Sequence, residues 1–77
     1  MAYEDILRVI CEILEDDFDY TDVEEDTNFL NDLQLSEDEY ETLARYIKEE
    51  LDIEVTQDIL DDCQTVGDLA TYIEENM

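Results

Sequence analysis

Histidine and proline are absent from the 77 residues, glycine occurs once, and positive charge is confined to Arg8, Arg45 and Lys48. Without histidine the commonest general base and metal ligand is missing, along with any Ser-His or Cys-His nucleophile pair, so the chain reads as non-enzymatic. Without proline, and with a single glycine, there is almost no turn or strand punctuation, and helices are favoured. Two cysteines, Cys11 and Cys63, make too thin a framework for a secreted scaffold. Each sits among apolar neighbours at helical spacing and reads as a reduced, buried thiol of a cytosolic protein. The opening MAYEDILRVI lacks a basic start and a continuous apolar run, so no signal peptide is expected. No stretch approaches the roughly 20 apolar residues of a membrane span.

What the chain has in excess is acid. Twenty-six Asp and Glu residues set a net charge of -23. Such a surface repels phosphate backbones and anionic lipid, which argues against nucleic acid and membrane as partners. It steers basic protein surfaces toward it instead. Apolar residues make up 44% of the chain, enough for a core, and the length fits one domain over residues 1–77. Carboxylate pairs on so small a helical domain lie on solvated faces, with little to raise one partner's pKa for acid-base work. The run DFDYTD spaces Asp17, Asp19, Thr21 and Asp22 like calcium ligands. Counted from Asp17, however, the EF-hand positions that need glycine and a bidentate glutamate hold Asp22 and Asn28. Only weak, adventitious divalent binding is expected there.

Periodicity supplies the architecture. Ile6, Val9, Ile10, Ile13 and Leu14 recur at steps of three and four, predicting an amphipathic helix over about 3–16. A long acidic connection follows, with Phe18, Val23, Phe29, Leu30 and Leu33 expected to plug it onto the core. Tyr40, Leu43, Ala44, Ile47 and Leu51 then share one face of a second helix, about 37–51. Ser36 stands three residues before Glu39, the S-x-x-E pattern in which each side chain satisfies the other residue's backbone N–H. Thr56 opens a short helical stretch. Thr65 with Asp68 caps a closing helix that carries Val66, Leu69, Ala70 and Ile73. The expected fold is all-α, three main helices and one short one with a long first loop.

Three segments resemble the acyl carrier protein family. FLNDL is similar to the family's F-x-x-D-L before its second helix. ARYIKEELDIEV resembles that helix and the short extended segment after it, and TVGDLATYI resembles the closing helix. The match runs without gaps from Phe29 to about Ile73, whereas the first helix fits in pattern only, with about two extra residues before Val23. The resemblance implies a four-helix carrier fold whose members bear acyl groups as thioesters on a 4'-phosphopantetheine arm, attached to the serine of a D-S-L motif.

The motif is where the chain departs. Gapless alignment puts Ser36 at the motif's aspartate, Glu37 at its serine and Asp38 at its leucine, and the family's preceding D-L-G reads Asp32-Leu33-Gln34. Serine and aspartate are near-equivalent N-caps, and losing such a cap costs about 1 kcal/mol, so Ser36 fills the aspartate's structural role. Two functional readings follow from the resemblance. In one, the chain lacks the standard attachment serine and docks on basic patches of synthase, ligase or transferase enzymes through Glu37, Asp38, Glu41, Glu49 and Glu50. In the other, Ser36 itself bears 4'-phosphopantetheine, and Tyr40, Leu43, Ile47, Val66 and Ile73 line a chain-binding cavity of an acyl or aminoacyl carrier in fatty acid, polyketide or related biosynthesis. A third reading, convergence on a helical pattern, is the weakest, given gapless agreement over about 45 positions. A cytoplasmic monomer without catalytic residues or a metal is expected in either of the first two.

Overall fold

Ile6, Ile10, Ile13 and Leu14 lie on one stripe and are all buried, which fixes how the first helix sits. The computed structural model describes residues 2–76. They form α1 (Tyr3–Asp16), α2 (Glu37–Leu51), α3 (Gln57–Asp62) and α4 (Val66–Glu75), with α1 packed on α4 and α2, and α3 against α2. No helix among the described residues is long and apolar enough to cross a membrane.

The helix ends explain why these segments stop where they do. Ser36 Oγ accepts the Glu39 N–H, the Glu39 carboxylate accepts the Ser36 N–H, and Thr65 and Asp68 form the same reciprocal pair at α4. Thr56 caps α3 through the Ile59 N–H. By contrast, α1 has no side-chain cap and no cation in its last turn, where Glu15 and Asp16 oppose the helix dipole. It is held by its buried stripe instead. α2 ends at Asp52, which takes a left-handed conformation (φ 55°) more often filled by glycine, and receives Lys48 at 3.4 Å in an exposed ion pair of small worth.

The first loop is fastened to the start of α4 by backbone bonds. Asn28 and Thr65 form an antiparallel bridge. Phe29 N–H donates to the Gln64 carbonyl at 3.0 Å, Val66 N–H to Thr27 at 3.1 Å, and Gly67 N–H to Glu25 at 2.7 Å. This close approach requires the single glycine, since a Cβ on residue 67 would stand 2.9 Å from the Glu25 carbonyl oxygen and 3.0 Å from the Tyr3 hydroxyl. Gly67→Ala gains helix propensity but forces the two segments apart. We expect a net loss of about 1 kcal/mol, seen as a fall of roughly 4–8 °C in a thermal melt. An unchanged or higher Tm would refute the close-approach argument.

Loop packing differs from the sequence expectation in two places. Val23, Phe29 and Leu33 are buried and Phe18 is half-buried, but Leu30 is 63% exposed while Leu35 takes a core position. Asn28 accounts for the difference, because its Oδ1 accepts both the Leu30 and Asn31 N–H groups at 2.9 Å and turns the chain outward after Phe29 enters the core. Among the thiols, Cys63 is buried, whereas Cys11, one position off the Ile10 stripe, is only half-buried; both are free.

Candidate functional site

Ser36 is exposed, in extended backbone (φ -85°, ψ 171°), directly before α2. Its Oγ lies 3.3 Å from the Glu39 nitrogen, its own N–H reaches Glu39 Oε1 at 3.1 Å, and its carbonyl accepts the Tyr40 N–H at 3.0 Å. The serine is thus a working cap. Glu37, the next residue, is exposed at the first helical position, as is Asp38 after it.

A second tie reaches this point from the first loop. The Tyr20 hydroxyl stands 3.0 Å from the Leu33 carbonyl and 3.1 Å from Glu39 Oε2, its one proton shared between two acceptors. Burial, then the bond to Glu39 and that carboxylate's charge, push the Tyr20 phenol above its ordinary range, so it remains a donor at neutral pH. Neither Tyr20 nor this second use of Glu39 was visible in the sequence. A tyrosine in an aperiodic acidic loop gives no sign of which distant carbonyl it will meet.

Gln34 occupies the position where the carrier motif has glycine, and its φ is 53°. This left-handed backbone suits glycine and costs a non-glycine residue about 1–2 kcal/mol. We expect Gln34→Gly to stabilise the fold by about 0.5–1 kcal/mol in urea denaturation, after the greater freedom of glycine in the unfolded chain is subtracted. No gain, or a loss, would show that this turn is held by the glutamine side chain.

The acidic residues expected to dock do not all share a face. At 3.6 residues per turn, Glu37, Asp38, Glu41 and Glu49 fall within about a third of the circumference of α2, opposite the buried stripe of Tyr40, Leu43, Ile47 and Leu51. Glu50 stands about 180° from Glu41 and borders the cleft between α1 and α2, about 110 Å³, with Val9, Glu12, Ile13, Asp16 and Asp17. Arg45 and Lys48 emerge inside the acidic arc, which moderates its field. The helix dipole divides the acids further. Glu37 and Asp38 stabilise the first turn and Glu41 lies beyond the dipole's reach, while Glu49 and Glu50 lie where the dipole disfavours anions by about 0.3–1 kcal/mol each at low salt. Local helix stability explains the first group and not the second.

Tyr40, Leu43, Ile47, Val66 and Ile73 are buried in the hydrophobic core. None borders the α1–α2 cleft or the second one, about 280 Å³, between Tyr3, Glu25, Thr65 and Asp68. Among the described residues no three carboxylates or thiols are grouped to hold one metal ion. Burial pushes the Cys63 thiol up to about 11, with Asp68 and Asp62 adding to the effect, and burial with Glu15 and Glu12 raises Cys11, so neither is a thiolate nucleophile at neutral pH.

No family model matches the chain. Its similarity to individual proteins is nevertheless end to end. It is 32% identical over 76 residues to an acyl carrier protein of Prochlorococcus marinus (strain MIT 9515), covering 96% of this chain and 95% of that one. It is 30% identical over 78 residues to an acyl carrier protein of Lactobacillus acidophilus (strain ATCC 700396 / NCK56 / N2 / NCFM), covering 99% and 98%. Identity at this level over nearly the whole length, on four helices in the order the motifs require, settles the relationship: the chain belongs to the acyl carrier protein family.

Proposed function

We propose that this chain is a non-catalytic member of the family that lacks the standard attachment serine and acts by docking the acidic face of α2 on basic surfaces of synthase, ligase or transferase enzymes. The observation that carries the reading is the start of α2, where Ser36 is engaged as the cap and the first helical residue is Glu37. A carboxylate offers no hydroxyl for the phosphodiester of 4'-phosphopantetheine, so residue 37 does not fit the arm. Docking then rests on charge. Glu37, Asp38, Glu41 and Glu49 form one arc, and Glu49 is kept at a position where it costs helix stability. Glu50 contributes from the α1–α2 cleft or not at all.

Charge reversal on the exposed face of α2 moves folding and docking in opposite directions. Glu49→Lys combined with Glu41→Lys is expected to leave the fold at least as stable, because repulsion falls. The same pair should lower affinity for a broad-specificity phosphopantetheinyl transferase by about tenfold or more in a surface-binding assay at low salt. Glu50→Lys alone should change that affinity little. Undiminished binding of the double variant would remove the docking reading.

The second reading is an atypical carrier with 4'-phosphopantetheine on Ser36. It is favoured by the exposure of that residue, whose hydroxyl proton is not used by the capping box, and by the identity to named acyl carrier proteins. In either case the protein is proposed to be cytoplasmic and monomeric, in fatty acid or related biosynthesis.

A further inference from the structure

The first loop meets the beginning of α2 through the Tyr20 hydroxyl. One oxygen of the Glu39 carboxylate holds the Ser36 N–H and the other faces Tyr20, which also reaches the Leu33 carbonyl. The tyrosine ring is itself held in place: it stacks on Phe18 with centroids 6.2 Å apart, and Phe18 sits edge-on to Tyr46 of α2, also at 6.2 Å. A capping box uses only one oxygen of its glutamate and leaves the carboxylate free to rotate about the other. Anchoring the second oxygen removes that freedom beforehand, so less conformational freedom is lost each time the cap closes. The same stretch contains Gln34 in its left-handed conformation, a backbone that persists only where its surroundings hold it.

We propose that Tyr20 is a positioning residue for the start of α2. Acting through Glu39 and the Leu33 carbonyl, it keeps residues 33–39, and with them the Ser36 hydroxyl and the Glu37 carboxylate, in one geometry. This deepens the docking reading, since that end of α2 would meet a partner, but it holds whether or not Ser36 is modified.

The test is residue-by-residue amide hydrogen exchange by NMR on the intact chain. Tyr20→Phe keeps the ring stack and removes only the hydroxyl. It should speed exchange at the Ser36 and Glu39 amides by about tenfold while leaving Ile10 in α1 and Leu69 in α4 at their original rates. Tyr46→Phe should change none of these. With Glu39→Ala already in place, adding Tyr20→Phe should speed the Ser36 amide by less than about twofold, because the carboxylate that links them is gone. Unchanged exchange at Ser36 and Glu39, uniform acceleration over the whole chain, or a full additional effect in the Glu39→Ala background would each overturn the assignment. Such a failure would leave the affinities of the Glu41 and Glu49 variants as they are, so the two ideas stand or fall separately.

Discussion

Installing the family tripeptide D-S-L with Ser36→Asp, Glu37→Ser and Asp38→Leu is expected to give a chain modified to completion by a phosphopantetheinyl transferase and coenzyme A, where the unchanged chain under the same treatment gains no mass. The fold should tolerate all three changes. Aspartate caps a helix about as well as serine, and Glu39 remains to close the box. Residues 37 and 38 are exposed, so the serine meets no packing constraint and the leucine adds one isolated apolar side chain. The substitutions take two of the four acids from the proposed docking arc and add one at position 36, so the net charge moves only from -23 to -22 and Glu41 and Glu49 remain to meet the transferase. Intact-mass measurement before and after treatment reads the outcome. If the triple variant folds and still gains no mass, residue identity at 36–38 is not what decides modification in this chain.

The second large effect is structural. Phe29→Ala should remove about 3–5 kcal/mol, against a total near 4–12 kcal/mol for a domain of this length. Phe29 is fully buried, and its ring meets Tyr40 edge-on at 6.2 Å. Its N–H donates to Gln64, and its carbonyl accepts the Leu35 N–H at 3.1 Å, so both the α4 junction and the approach to α2 depend on where this residue sits. At low salt, where 26 acids repel one another with little screening, we expect the variant to be largely unfolded by circular dichroism at 37 °C. At about 1 M salt, where the Debye length falls to about 3 Å, much of the helical signal should return. A cooperative melt at low salt close to that of the unchanged protein would show that the loop is fastened elsewhere.

The helices were legible because they are written twice, in apolar spacing and in caps. Ser36 with Glu39 and Thr65 with Asp68 mark the starts of α2 and α4, and both reciprocal pairs are present. The loop was legible only in part. Apolar residues in a segment without a period carry no phase, so nothing distinguished Leu30, which faces water, from Leu35, which is buried, until the Asn28 turn was seen. The Tyr20 contacts span 13 and 19 residues and leave no local trace. Glu50 is a different case. Its separation from Glu41 follows from helical geometry alone, and grouping the acids of α2 by sequence proximity concealed it. The site was therefore readable where it depends on the helix start and unreadable where it depends on how the loop folds back.

The central claim concerns the hydroxyl of Ser36, and the most direct measurement is peptide-resolved mass spectrometry of the chain isolated from the cells that make it. The account predicts that peptides spanning residues 30–45 carry an unmodified Ser36. A 4'-phosphopantetheine adduct localised to that serine would contradict it and establish the carrier reading in its place.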